Sequence, residues 1–183
     1  MKITSGIFSG IELKTPEGIS VRPTLAKTRQ AVFNMLRPYT AESVCVDLFA
    51  GTGAMGLEAL SNGASRCYFI DNRQAKLIAS NAAKLRFAAG RADVFSADWE
   101  DGLKMLYKKG VKADIVFADP PYDCGYPIKL LNSSGLSDIL KDGGLFVLES
   151  TVDEAPAEIP PGLKITKQKH YGQAVITIIS KGG

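Results

Sequence analysis

Five short, nearly continuous apolar runs punctuate the middle of the chain: SVCVDLF (43–49), RCYFID (66–71), ADVFSAD (92–98), ADIVFAD (113–119) and GGLFVLES (143–150). Their β-branched content and weak alternation predict strands covered on both faces. Helical patterns follow the first three, at 53–62 (closed by Asn62-Gly63), 73–86 (Leu77, Ile78, Ala82 and Leu85 sharing a face) and 99–109. Strand and helix in strict alternation predict a mostly parallel sheet with helices on both sides, an α/β three-layer sandwich.

The two ends break this rhythm. KITSGIFSGIELKTPEGISVRP reads as short strands interrupted by Ser-Gly and Glu-Gly turns, a hairpin-like extension. A helix is predicted after it, with Thr24 as N-cap, Leu25, Thr28, Ala31, Val32, Met35 and Leu36 along one side, and Pro38 beyond its end. At the other terminus a Pro-rich loop (151–162) leads into two alternating strands about a turn near Tyr171-Gly172, a C-terminal antiparallel hairpin.

A chain of 183 residues with this pattern fits one compact domain. It has neither an apolar run long enough to span a bilayer nor the h-region of a signal peptide, so a soluble cytoplasmic protein is expected. Cys45, Cys67 and Cys124 are odd in number and never form a CxxC, which argues against a disulfide framework or a metal cluster. Net charge is only +3, but residues 1–40 carry +4 and the other 143 residues carry −1. Arg22, Lys27 and Arg29, with Lys2 and Lys14, are therefore candidates to meet a phosphate-rich partner, the alternative being a solvated basic face.

Chemistry concentrates at the carboxyl ends of the predicted strands. Gly51-Thr52-Gly53-Ala54-Met55-Gly56 satisfies G-x-G-x-x-G between a strand and a helix, where backbone N–H groups approach a nucleotide. Asp71, 20 residues after Gly51, ends the next strand where a carboxylate can accept from ribose hydroxyls. These features indicate an adenosine-type cofactor without separating NAD from S-adenosylmethionine. Asp98 and Trp99 follow the third strand at the same edge. Asp98 is placed either to accept from an adenine amino group or to cap the next helix.

Asp119-Pro120-Pro121-Tyr122 closes the fourth strand and is the most specific signal. The prolines remove backbone donors and stiffen the turn, leaving carbonyls beside a carboxylate and an aromatic ring. Hydrogen bonds from an exocyclic amine to Asp119 and the Pro120 carbonyl would favour a pyramidal nitrogen with its lone pair free, and Tyr122 could stack on an extruded base. His170, the only histidine, lies among Lys164, Lys167 and Lys169 and reads as a surface or RNA-facing residue rather than a catalytic base.

Arg22-Pro23-Thr24 followed by RQAVFNML (29–36), then DLFAGTGAMGLEALSNGA (47–64) and DPPY (119–122), resembles the bacterial RsmD-like guanine-N2 methyltransferases of small-subunit (16S) ribosomal RNA, within the class I S-adenosylmethionine-dependent methyltransferases. The resemblance spans essentially the whole chain. It implies a Rossmann-like seven-stranded sheet whose last hairpin supplies an antiparallel strand. It also implies S-adenosylmethionine bound by Asp47, Gly51, Gly53 and Asp71, with Asp98 near the adenine, and the target guanine held by Asp119 and Tyr122. The partner implied is 16S ribosomal RNA or the assembling small subunit; separately from the resemblance, a monomer is expected. An adenine-N6 or cytosine-N4 amino-methyltransferase is the nearest rival, since DPPY serves any exocyclic amine; a non-catalytic RNA-binding module on the same fold is another. An NAD oxidoreductase would leave DPPY unexplained.

Overall fold

The computed structural model describes residues 1–16, 23–87 and 89–182. A helix α1 (Pro23–Thr40) precedes the units β1 (Val44–Leu48), α2 (Ala54–Ser61), β2 (Arg66–Ile70), α3 (Ala75–Lys84), β3 (Ala92–Phe95), α4 (Trp99–Lys108) and β4 (Ala113–Ala118). Two short helices, α5 (Tyr126–Leu131) and α6 (Ser134–Ile139), lead into β5 (Leu140–Thr151), and β6 (Leu163–Tyr171) and β7 (Ala174–Lys181) form the closing hairpin.

These strands make one sheet in the order β3-β2-β1-β4-β5-β7-β6. The first five are parallel, β7 runs antiparallel to β5, and β6 is antiparallel to β7. Chain order reverses between β1 and β4, and a sheet of this type binds its ligands at that switch point, outside the carboxyl ends of the strands. The sheet, the helices on both faces and the antiparallel hairpin all match the sequence expectation.

Burial explains the layers. Val32, Phe33 and Leu36 of α1, Leu57 and Leu60 of α2 and Ile78 of α3 bury against Cys45, Cys67, Phe69 and Phe117 on one face. Leu103 and Leu106 of α4, Leu130 of α5 and Ile139 of α6 cover Val46, Ile70, Val116 and Phe146 on the other. Gly56 lets α2 lie directly on the sheet, because a Cβ there would fall 2.3 Å from the Phe69 ring.

Two local readings change. Pro38 lies inside α1 rather than beyond it. The helix completes its last turn because Thr40 Oγ1 donates to the Leu36 carbonyl at 2.9 Å, and the Ser43 hydroxyl then takes up the Thr40 carbonyl at 2.7 Å. Thr24 is within α1 and so is not its N-cap. The N-terminal segment folds back as a hairpin-like extension, as expected: the antiparallel Lys2–Glu12 bridge closes a small loop whose Ile3 and Leu13 are buried. Thr4 N–H donates to Glu58 of α2, and Asn81 of α3 both accepts from Lys14 N–H and donates to its carbonyl. Helices α5 and α6 had no counterpart in the sequence reading. Among the described residues no helix is long and apolar enough to cross a membrane.

Candidate active site

A cleft of about 540 Å³ opens at the carboxyl edge of the sheet, lined by Asp71, Asp98, Trp99, Asp119, Tyr122 and Glu149 among others. A smaller lobe of about 150 Å³ adjoins it, sharing Phe49, Asp119 and Glu149 and reaching Asp47, Gly51 and Arg29.

The glycine loop is held by two aspartates from below and beside it. Asp47, buried at the end of β1, accepts from Gly56 N–H at 2.8 Å, and burial pushes its carboxyl up to about 8. Asp71 ends β2 and accepts from Gly51 N–H at 2.8 Å through Oδ2, and from Arg73 and Gln74 N–H at 2.8 and 2.7 Å through Oδ1. The carboxylate that faces the cleft is thereby aimed by backbone on both sides. Gly53 makes the turn into α2 with φ 78, a left-handed conformation that favours glycine. Phe49 holds φ 59 without that freedom, a strained backbone at the point where both lobes meet.

Asp98 caps α4, its Oδ1 accepting from Asp101 N–H at 2.9 Å, and it also lines the cleft beside Trp99. The capping reading is therefore correct, and it leaves the residue at the cleft.

Asp119 leaves the end of β4 and opens onto the cleft, yet protein surrounds it on its other sides. That enclosure, and the nearby Glu149 carboxylate, raise it to about 7. It accepts no hydrogen bond from the described residues. Pro120 behind it is buried. Tyr122, 42% exposed at the mouth, donates its hydroxyl to Glu149 Oε1 at 2.8 Å, and burial and that bond both raise the phenol. Burial likewise raises Glu149. The turn beyond is pinned by Glu154, whose carboxylate accepts from Asp123 and Gly125 N–H at 2.9 and 2.7 Å.

The basic candidates have different surroundings. Lys27 is exposed on α1, while Arg22 lies outside the described residues. Lys2 faces solvent 3.5 Å from Glu12, and Lys14 Nζ donates to Ser80 Oγ at 2.9 Å. Arg29 is corrected: it is only 5% exposed, its Nε donates to Glu58 Oε2 at 3.0 Å, and its Nη2 donates to the Lys2 carbonyl. A guanidinium committed to a buried carboxylate is not available to an RNA phosphate. Its i−1 and i+3 neighbours, Thr28 and Val32, are also buried, which places it on the inner face of α1. His170 is exposed on β6.

Sequence reasoning missed Glu149 and Glu58. For Glu149 a signal existed: the other four parallel strands each carry an aspartate at or just past their carboxyl ends, and GGLFVLE repeats the pattern with a glutamate. Five carboxyl groups (Asp47, Asp71, Asp98, Asp119, Glu149) thus line one cleft, an environment that favours a cationic ligand.

Parallel sheet, glycine loop, cleft-lining aspartate and DPPY turn together define a class I S-adenosylmethionine-dependent methyltransferase. Within that class the chain belongs to the family described as conserved hypothetical protein 95, whose model matches residues 1–180. It is similar to the ribosomal RNA small subunit methyltransferase D of Escherichia coli K12, 31% identical over 183 residues that cover 99% of this chain and 90% of that one. Among solved structures it is similar to yhhF from Escherichia coli, at 32% identity and TM-score 0.84 over 100% of this chain and 98% of that one. A hypothetical protein from Thermus thermophilus gives 27% identity and TM-score 0.78 over 98% and 99% of the two chains.

Proposed function

We propose that this protein transfers a methyl group from S-adenosylmethionine to the N2 amino group of one guanine in 16S ribosomal RNA, free or in an assembling small subunit. The observation that carries the reading is Asp119: a cleft-facing carboxylate without a donor among the described residues, next to Pro120 and in the same cleft as Gly51 and Asp71. The names of the curated relatives supply the RNA class.

The residues fit the cofactor. Asp71 offers oriented acceptors to ribose hydroxyls, Asp98 and Trp99 stand where an adenine would enter, and Gly51 and Gly53 let the chain approach closely. Bound S-adenosylmethionine supplies a methyl group already activated by its sulfonium. Positioning then provides most of the remaining acceleration.

Asp119 and the Pro120 carbonyl accept from the guanine amino group and free its lone pair. The cofactor would supply the methyl carbon to N2, its sulfur keeping the electron pair of the S–C bond that breaks. The proton lost from N2 passes to the Asp119 carboxylate, whose raised affinity suits it as acceptor. Tyr122 stacks on the base. Lys27, Lys2 and Lys14, with Arg22, contact phosphates, so residues 1–40 form the RNA side of the protein and 41–183 the cofactor side.

Mass-spectrometric mapping of 16S ribosomal RNA from cells with and without the protein tests this. Loss of one N2-methylguanine on deletion, restored by purified protein and S-adenosylmethionine, is the expected result. A methyl group on adenine or cytosine, or none, overturns it.

A further inference from the structure

Asp119 and Glu149 continue two adjacent parallel strands by one residue beyond the Ala118–Leu148 pair. Neighbouring strands lie about 4.8 Å apart and paired positions share a face, so the two carboxylates leave the sheet side by side. Both line both lobes of the cleft. Their hydrogen bonding differs. Asp119 takes no donor from the described residues, whereas Glu149 takes one, the Tyr122 hydroxyl at 2.8 Å on Oε1. The phenol thus fixes one oxygen of Glu149 and leaves Oε2 without a donor among the described residues.

Two carboxylates held together in a cleft with open acceptors are costly until a ligand brings donors. The required ligand edge carries N–H groups in a row. Among the bases, guanine has it: the ring N1–H stands directly beside the N2 amino group. Adenine and cytosine place an acceptor nitrogen next to their amino groups, and a lone pair there would face carboxylate oxygen.

We propose that Glu149 is the residue that selects guanine, accepting the ring N1–H through Oε2 while Asp119 holds the neighbouring amino group. The assignment rests on the methyl-transfer reading above and adds to it the origin of base choice. Tyr122 then has a second task besides stacking, as the group that aims Glu149.

The test uses an RNA fragment containing the mapped guanine and a second fragment with 2-aminopurine in its place. 2-Aminopurine keeps the amino group but presents N1 as an acceptor. Wild-type protein should favour guanine in kcat/KM by at least about 100-fold, as sites built around a substrate N–H do. In Glu149→Gln, Tyr122 retains the carbonyl oxygen and the amide NH₂ turns to the base, so guanine loses and 2-aminopurine gains, closing the gap to within about tenfold. Tyr122→Phe keeps the ring but frees Glu149, and should lower the guanine preference without inverting it. If Glu149→Gln does not fold, Tyr122→Phe carries the test. A guanine to 2-aminopurine ratio unchanged in the variants overturns the role of Glu149 and leaves the guanine reading standing. A mapped adenine or cytosine overturns that reading itself, before either fragment is made.

Discussion

Arg29 and Glu58 form a buried ion pair, 3.0 Å from Nε to Oε2, with side chains 5% and 0% exposed. The same Glu58 carboxylate accepts from Thr4 N–H, Thr4 Oγ1 and Ser5 Oγ, so one residue of α2 ties down both the N-terminal segment and α1. Removing one partner of such a pair leaves an uncompensated buried charge. Glu58→Ala should destabilise the protein by about 3–5 kcal/mol, read from urea unfolding.

Lys27 and Arg29 therefore separate in experiment although they are two residues apart. Lys27→Glu should leave the unfolding midpoint near wild type, raise the apparent KM for RNA and lower the log–log salt slope of binding by about 0.7–0.9 for the lost phosphate contact. Arg29→Glu should instead lower the unfolding midpoint sharply. Filter binding across a salt series, beside thermal melts, distinguishes these outcomes. An unchanged salt slope for Lys27→Glu would mean that it only solvates α1.

Asp71→Ala removes the acceptors of Gly51, Arg73 and Gln74 N–H as well as the proposed ribose partner. Calorimetry should show S-adenosylmethionine binding weakened by about 1–3 kcal/mol or more, since three backbone donors lose their fixed acceptor. Full affinity in this variant would refute the ribose assignment.

The raised Asp119 gives turnover and stability opposite responses to pH. Accepting from an amino group needs the ionised form, so kcat should climb as pH rises through about 7 and level off above it. For folding, an acid raised from 3.8 to about 7 is disfavoured when charged. Its contribution is fully favourable below the unfolded value and is lost as pH rises through the folded one. Asp119→Asn should thus abolish turnover yet melt higher than wild type at pH ~8, with the difference vanishing near pH ~4. Calorimetric melts at the two pH values decide it, and a variant that melts lower at both would contradict the enclosure of Asp119.

Much of this was legible in the chain because parallel α/β sheets write their period plainly. The runs at 43–49, 66–71 and 113–119 need no partner to be recognised as strands, and a G-x-G-x-x-G between strand and helix fixes the cleft's position. What escaped depends on contacts distant in sequence. Tyr126–Leu131 and Ser134–Ile139 are each only six residues long, too short to display a helical period, and they form by packing beneath the sheet. Arg29 looks like any helix cation until Glu58, 29 residues on, is brought to it. Glu149 becomes part of the site only when β5 is laid against β4.

The strand β6 has a bearing on how the protein behaves at high concentration. It is nine residues long and outermost in the sheet, so one row of its backbone N–H and C=O groups has no strand beyond it among the described residues. Such an edge invites a second molecule to add a strand of its own. Lys164, Lys167, Lys169 and His170 line it without an acidic residue among them, and two copies meeting edge to edge would bring like charges together. The opposite edge, β3, is only four residues long. Replacing Lys167 and Lys169 by valine should leave a dilute protein folded but turn the concentrated one toward β-rich aggregates. On this view the positive edge of the C-terminal hairpin keeps neighbouring molecules separate.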